Sequence, residues 1–121
     1  MTTNAKYSFL HNAWSSVTSE PVGDRATLRR LRGGAIEICR IDAEPGARFR
    51  IGGPGSELAL HVLDGRFGCH VLGNLVELPA GHFAVVPPHV PIEVRLAGRS
   101  PGSLLLVSAS PVGPGTEIEP V

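Results

Sequence analysis

The chain contains few residues whose types and spacing point to catalysis or metal binding. Its five histidines are scattered, and Cys39 and Cys69 stand too far apart for the close pairing of zinc or redox sites. No serine or cysteine nucleophile has a histidine and an acid nearby. The glycine-rich stretch at 52–55 lacks the spacing and the following helix of a phosphate loop. Buried, reduced thiols are therefore the favoured interpretation of both cysteines.

One carboxylate, Glu37, stands in a mostly apolar alternating segment, AIEICRIDA. It shares its phase with Cys39 and Ile41. If that side faces the protein interior, burial should raise the pKa of Glu37 and allow it to shuttle protons. The opposite phase, with Ile36 and Ile38 inside, agrees equally well with the pattern, so both orientations stay open.

The elements that must position these residues are short strands. Fifteen glycines and eleven prolines interrupt the chain every few positions and leave little room for helices of ordinary length. After AIEICRIDA, the candidate strands between these glycines and prolines are ELALHVL, FGCHVLG, LVELP, FAVVP, IEVRL and LLLVSASP. ATLRRL, near the start, agrees with a strand or with one helical turn. Regular short strands separated by turn signals predict an all-β sandwich or barrel.

One hairpin is predicted in detail, because Asp64-Gly65 between two alternating runs is a strong turn signal. Its register gives a wholly apolar face, which we interpret as the interior. This face consists of Leu58, Leu60, Val62, Phe67, Cys69 and Val71. The opposite face includes Ala59, Leu63 and, as diagonal neighbours, His61 and His70. A packed or interface role is expected for both histidines.

The segments ELALHVLDG and LPAGHFAVVPPHVPI resemble the two signature motifs of the cupin superfamily. The first ends in a strand and a turn glycine, Gly65, and the second keeps the glycine and proline of the family at Gly81 and Pro87. Fifteen residues separate the two glycines, which is the length of the hairpin between the motifs in a compact cupin. The resemblance covers roughly residues 35 to 107 and implies a cupin-type jelly-roll β-barrel.

The positions at which cupins hold a metal carry no ligands in this chain. The first two histidine positions of the family fall on Gly52 and Pro54, the acidic position falls on Leu58, and the last histidine position falls on Ile92. A catalytic metal needs about three protein ligands that converge from different strands. The resemblance therefore implies a metal-independent cupin, with no cofactor.

The same comparison suggests two catalytic residues. If positions 52 and 54 face inward as in cupins, alternation turns Arg48 and Arg50 inward too, and Arg50 could anchor an anionic or carbonyl-bearing ligand. An exposed arginine on an edge strand is the alternative. Glu57 is one residue out of phase, so it would join Arg50 only if a β-bulge turned it inward.

The ligand is expected to lie against apolar walls. Ile92, Val94 and Leu96 share a phase that faces the interior, and His89 lies at the rim, where cupins usually have a glycine. The residues predicted to bind the ligand are Leu58, Leu60, Val62, Phe67, Cys69, His89, Ile92 and Val94. A filled core without a cavity is the alternative.

Length and charge restrict the remaining possibilities. A chain of 121 residues suits one domain, with residues 1–20 as an N-terminal extension, 35–107 as the core barrel and 112–121 as a flexible tail. Eleven basic and eleven acidic side chains cancel, so there is no electrostatic reason to expect nucleic acid or a membrane as partner. No apolar stretch is long enough for a membrane span or signal peptide, which predicts a cytoplasmic protein.

Three functions agree with these observations. The leading hypothesis is a metal-independent cupin that binds a small, largely apolar metabolite and acts as a cyclase, isomerase or lyase of a bacterial biosynthetic pathway. Because the same segments resemble the sensing domains of arabinose-type regulators, a non-catalytic receptor is an alternative. The third function is a structural homodimer formed through the outer strands. A homodimer is expected in any case, because small cupins are commonly dimers.

Overall fold

The computed structural model describes residues 12–109 and 115–121, and strands make up most of this part of the chain. A 3-10 turn at Trp14–Ser16 precedes eleven strands. They are β1 (Ser19–Pro21), β2 (Ala26–Arg32), β3 (Ile36–Ala43), β4 (Arg48–Ile51), β5 (Leu58–Asp64), β6 (Arg66–Val71), β7 (Asn74–Pro79), β8 (Phe83–Val86), β9 (Ile92–Leu96), β10 (Gly102–Ala109) and β11 (Ile118–Pro120). Among these residues there is no helix long and apolar enough to cross a membrane.

The strands form two antiparallel sheets. Sheet A has the order β1-β2-β3-β10-β5-β8, and sheet B has the order β11-β4-β9-β6-β7. Neighbours such as β3 and β10 are far apart in the sequence, because the chain crosses between the sheets repeatedly, as in a jelly roll. The predicted all-β jelly roll is therefore confirmed. The two sheets are not hydrogen-bonded into one closed barrel in the part of the chain that the structure describes.

A hydrocarbon core lies between the sheets. Alternation along each strand sends one set of side chains inward. The largest of them include Phe49 from β4 and Phe67 from β6, which are fully buried together with Ile41 and Leu104. Burial of a side chain of this size contributes about 1.5–3 kcal/mol, so these contacts hold the sheets together.

The predicted hairpin at Asp64-Gly65 is wrong. Strand β5 pairs with β10 and β8 in sheet A, whereas β6 pairs with β7 and β9 in sheet B. Gly65 instead carries the chain from one sheet to the other. It does so in a left-handed conformation with φ of 74°, and a Cβ atom there would lie 2.8 Å from Gly102 Cα. His61 and His70 are consequently on opposite sheets and are not neighbours.

The two ends of the chain also differ from expectation. ATLRRL lies in strand β2. Residues 1–11 of the predicted N-terminal extension lie outside the described residues, whereas its last two residues, Ser19 and Glu20, belong to β1, which pairs with β2. Residues 112–114 of the expected flexible tail lie outside them too, but the strand Ile118–Pro120 pairs with β4. The last residues of the chain thus belong to sheet B.

Candidate functional site

The structure does not bring the two predicted catalytic residues together in the interior. Arg50 is exposed on the outer side of β4, because the apolar Phe49 and Ile51 occupy the inward positions of that strand. The prediction that the arginines of β4 turn inward is therefore wrong. Glu57 is exposed just before β5, which keeps a regular register with β8, so no bulge turns it inward.

Seven of the eight predicted ligand-binding residues do face inward. Leu58, Leu60, Val62, Phe67, Cys69, Ile92 and Val94 are between 0% and 3% exposed. They pack together in one core cluster. This arrangement agrees with the alternative of a filled core, and a ligand-binding role for these residues stays a prediction.

The eighth residue, His89, shares a surface cavity with Arg50. This cavity of about 360 Å³ lies at the rim of sheet B, and Gly52 and Glu117 also line it. The backbone of His89 has a φ of 62°, a left-handed conformation that is uncommon for residues other than glycine. Glycine adopts this conformation without strain, which agrees with the glycine that cupins usually have at this position.

Glu37 faces the interior and is the centre of a buried polar cluster. Only 1% of the residue is exposed. Its Oε1 accepts a hydrogen bond from the backbone N–H of Thr116 at 2.9 Å and another from Nη1 of Arg30 at 3.0 Å. The thiol of Cys39 donates to the same oxygen over 3.5 Å. We call Arg30, Arg32, Glu37, Cys39, Ser108 and Thr116 the Glu37 cluster.

The pKa of Glu37 is lower than the ordinary value of 4.5, contrary to expectation. Burial raises this pKa, as predicted, but hydrogen bonds from the backbone and hydroxyl of Thr116, the charge of Arg30 and the Cys39 thiol together lower it more. Glu37 is therefore a carboxylate at neutral pH. Its Oε2 accepts no hydrogen bond within the described residues and forms an ion pair with Nε of Arg32 at 3.5 Å.

Neither cysteine is a ready nucleophile. Burial and the negative charge of Glu37 raise the pKa of Cys39 to about 12, although the positive charge of Arg30 opposes them. Burial alone raises the pKa of Cys69 to about 11. Both side chains are free thiols, which confirms the interpretation from the sequence. At neutral pH both stay protonated and unreactive.

Residues 115–117 close the mouth of the jelly roll above Glu37. Besides the Thr116 N–H bond to Glu37, the hydroxyl groups of Thr116 and Ser108 lie 3.5 Å apart, and the N–H of Gly52 donates to the carbonyl of Glu117 at 2.8 Å. Gly115 lies so close to Arg30 and Glu37 that any Cβ atom would collide with them. The segment thus bridges β10 of sheet A and the end of β4 in sheet B.

Glu37 lies in the same cross-strand row as Leu58, the acidic ligand position of cupins. Ser108 on β10 pairs with Glu37 on one side and with Leu58 on the other. Two strand spacings, roughly 10 Å, therefore separate the two positions. The interior carboxylate of this chain is on β3, whereas the cupin motif would place one on β5.

The residues at the cupin metal positions do not suit a metal. Gly52, Pro54, Leu58 and Ile92 offer no side-chain donor, and residues 12–109 and 115–121 contain no group of three or more His, Cys, Asp or Glu placed to hold an ion. Glu37 itself is paired with two guanidinium groups, which repel a cation.

The sequence did not reveal the partners of Glu37. Thr116 is 79 positions away from it, so no local pattern connects them. Arg30 belongs to ATLRRL, a segment that agreed equally with a strand and with one helical turn. Ser108 gave a weak signal, because it is a polar residue within the apolar alternating segment LLLVSASP.

Comparison with known proteins identifies the family. Residues 14–110 match the family described as AraC-binding-like domain. No curated protein matches the chain.

Solved structures show the same fold at low sequence identity. An RmlC-like cupin from Shewanella frigidimarina is 22% identical, with a TM-score of 0.69 over 90% of this chain and 94% of that one. The polyketide cyclase RemF from Streptomyces resistomycificus is 16% identical, with a TM-score of 0.71 over 94% and 86%. The ectoine synthase from P. lautus is 15% identical, with a TM-score of 0.74 over 93% and 90%. This chain therefore belongs to the AraC-binding-like domain family, within the cupin superfamily.

Proposed function

We propose that this chain binds a small metabolite at the Glu37 cluster and transforms it without a metal, as a cyclase, isomerase or lyase. The observation that carries this proposal is a carboxylate that is almost completely buried between the two sheets and lies in the row of the cupin acidic ligand position. A buried charged group is costly to maintain, and such groups are common at functional sites.

Ligand entry requires residues 115–117 to move. The side chains below Glu37 belong to one packed core cluster, so the space for a ligand would arise where this segment lies. Small-molecule sites begin at about 300 Å³, which is roughly the volume of three residues. The segment is held mainly by the hydrogen bonds of Thr116 and Glu117, which an entering substrate has to break.

The proposed chemistry is proton transfer next to a carbonyl group. Glu37 takes a proton from the carbon beside the carbonyl, while the guanidinium group of Arg30 stabilises the negative charge that develops on the carbonyl oxygen. The protonated carboxyl group then returns its proton to another atom of the substrate, which completes an isomerisation or ring closure. When the apolar part of a substrate replaces the segment, Glu37 stays buried but loses the Thr116 hydrogen bonds that lower its pKa, so it becomes a better base.

The surroundings of the cluster support an apolar substrate. Leu58 and Val86 continue the row of Glu37 across sheet A, and both are buried. Walls of this kind hold the hydrocarbon part of a substrate in one conformation, and orientation alone can supply much of the acceleration of a cyclisation. Two structural neighbours, a polyketide cyclase and an ectoine synthase, show that this fold occurs in biosynthetic enzymes.

Deuterium exchange tests the proposal without knowledge of the natural substrate. The full chain is incubated in D₂O with a panel of small ketones and keto acids whose spontaneous exchange is slow, and deuterium uptake beside the carbonyl is measured by mass spectrometry. We expect exchange with the wild type and with Glu93→Gln, an exposed carboxylate of β9, but not with Glu37→Gln. Uptake that Glu37→Gln leaves unchanged would refute the role of Glu37.

A ligand sensor is the second candidate, and the AraC-binding-like family match favours it. In this case a ligand at the Glu37 cluster would displace residues 115–117 and loosen β11 from β4, and a partner protein would detect that change. Thermal stabilisation by a compound that undergoes neither exchange nor conversion would support the sensor over the enzyme.

A further inference from the structure

The outer side of sheet B carries two arginines that face each other across neighbouring strands. Arg48 of β4 and Arg95 of β9 are directly opposite in the register of the two strands, and both are exposed on the side away from the core. Like charges at directly opposite positions destabilise a sheet. Within residues 12–109 and 115–121, neither guanidinium group has a hydrogen-bond or ion-pair partner. The pair is therefore a local excess of positive charge.

Both arginines line one cavity of about 270 Å³. Its floor is Gly68 of β6, which lies opposite Arg95 in the register and is buried. A Cβ atom at Gly68 would lie 3.1 Å from Nε of Arg95 and 3.7 Å from Cδ1 of Leu75. The Arg95 side chain thus lies over the glycine, next to Leu75 of β7, which is 53% exposed. The cavity has guanidinium groups on one side and hydrocarbon on the other.

The acidic groups around the cavity leave these arginines available. Glu93 borders it, but this residue lies in the next cross-strand row, directly opposite Arg50. The last residue, Val121, closes the cavity beside β4, where its backbone N–H donates to the carbonyl of Arg48 at 3.3 Å. In the described part of the chain, neither the Glu93 carboxylate nor the terminal one forms an ion pair with Arg48 or Arg95. A ligand can therefore offer the counter-charge that the protein does not supply.

We propose that Arg48 and Arg95 bind the carboxylate of a small organic acid, whose apolar body packs on Gly68 and Leu75. A guanidinium group is a planar fork of donors that matches the two oxygens of a carboxylate. The volume lies near the lower limit for small-molecule sites, so it suits a small acid. Inorganic phosphate would leave the hydrocarbon wall uncovered. Because the cavity is on the outer side of sheet B, it is separate from the Glu37 cluster, which lies between the sheets.

An NMR titration of the full chain with sodium benzoate, at neutral pH and low ionic strength, tests this site. The amide resonances of Gly68 and Arg95 should shift together and saturate in the millimolar range, while that of Glu37 should not move. Arg95→Gln should weaken binding at least about 10-fold, the effect of losing a hydrogen bond to a charged group. Arg99→Gln is the matched control, because it removes the same charge from the exposed loop between β9 and β10. This variant should bind benzoate as the wild type does.

Thermal unfolding separates a binding role of Arg95 from a structural one. Because Arg95 faces a like charge, Arg95→Gln should keep or raise Tm. A lower Tm together with unchanged benzoate binding would show that Arg95 only packs on Gly68, and would overturn the proposal. Gly68→Ala is a second variant, because its added Cβ atom displaces the flexible side chain of Arg95 and should also weaken benzoate binding.

The ligands themselves provide the remaining controls. Benzyl alcohol, the neutral analogue of benzoate, should bind at least about 10-fold more weakly. Added salt should weaken benzoate binding, because exposed charges are screened. Equal binding of the two compounds, or the absence of saturable shifts, would overturn the proposal, and so would saturation by inorganic phosphate without binding of benzoate. None of these outcomes depends on the proposed role of Glu37.

Discussion

Replacing Glu37 with glutamine should destabilise the protein far more than the same change on its surface. Glutamine preserves the size of the side chain, and its amide oxygen can still accept the N–H of Thr116. Its NH₂ group, however, replaces Oε2 and is a donor where the carboxylate pairs with Arg32, and the neutral amide carries no charge to balance Arg30, which bonds to Oε1. The substitution therefore leaves two arginines without their buried counter-ion.

The loss follows from the contacts of the carboxylate. A hydrogen bond to a charged group contributes about 1.5–3 kcal/mol, and breaking a fully buried ion pair costs about 3–5 kcal/mol. Here the side chains of Arg30 and Arg32 are 24% and 35% exposed, so water can solvate them partly when Glu37 is absent. We expect a loss of about 2–3 kcal/mol, which for a domain of this size lowers Tm by roughly 6–12 °C.

Urea denaturation followed by circular dichroism measures the effect. The midpoint of Glu37→Gln should fall while the slope m stays constant, since the surface exposed on unfolding is unchanged. Glu93→Gln is the control, because Glu93 is exposed on β9, and its loss should change the free energy of unfolding by less than about 0.5 kcal/mol. Equal losses in the two variants would show that the Glu37 cluster contributes no stability.

The difference between the wild type and Glu37→Gln should depend on pH. Because the pKa of Glu37 is lower in the folded protein than the ordinary 4.5, the unfolded chain holds this proton more tightly. The stabilisation is fully present above pH 4.5 and is lost as the pH falls through the folded pKa. The free energies of unfolding of the wild type and of Glu37→Gln should therefore differ more at neutral pH than at about pH 3. A difference that does not change with pH would contradict a depressed pKa.

Three further results are expected. Gly53→Ala should destabilise the protein by more than about 2 kcal/mol, because its Cβ atom would lie 2.5 Å from the backbone of His89. Gly34→Ala is the control and should change the stability little, because there is open space around Gly34. Equal denaturation midpoints for the two variants would contradict this. Cys39 and Cys69 should resist a thiol reagent at neutral pH until the protein is unfolded, because burial raises both pKa values; rapid labelling of the native protein would argue against it. EDTA should leave Tm unchanged, and elemental analysis that finds a stoichiometric metal in the purified protein would refute metal independence.

Local alternation predicted much of the core correctly. The inward phases of β5, β6 and β9 follow from their apolar residues alone, and burial confirms them. Strand β4 shows the limit of the resemblance. There the cupin positions suggested that Arg50 points inward, but the apolar Phe49 and Ile51 on the same strand indicated the opposite phase. The local pattern was the better guide, because burial of hydrocarbon outweighs a motif whose ligands are absent.

The turn at Gly65 shows why strand partners were harder to predict. A glycine with positive φ is needed both in a tight hairpin and at a corner between two sheets, so the residues alone do not distinguish the two. The sheet that a strand joins depends on the strands that compete for its edges. Here β10, which begins at residue 102, separates β5 from β3 and holds both in sheet A.

By itself, the sequence determined the all-β class, the cupin-type jelly roll, the inward phase of several strands and the loss of the metal ligands. These features depend on residue types and on spacings of a few positions. Only the tertiary structure decided the orientation of Glu37, the sign of its pKa shift and the role of residues 115–117 as its cover. These features depend on the hydrogen bonds that Glu37 accepts from Arg30 of β2 and from Thr116, which is 79 positions away from it. Such contacts form only when the packing of the whole domain offsets the entropy lost in bringing distant residues together.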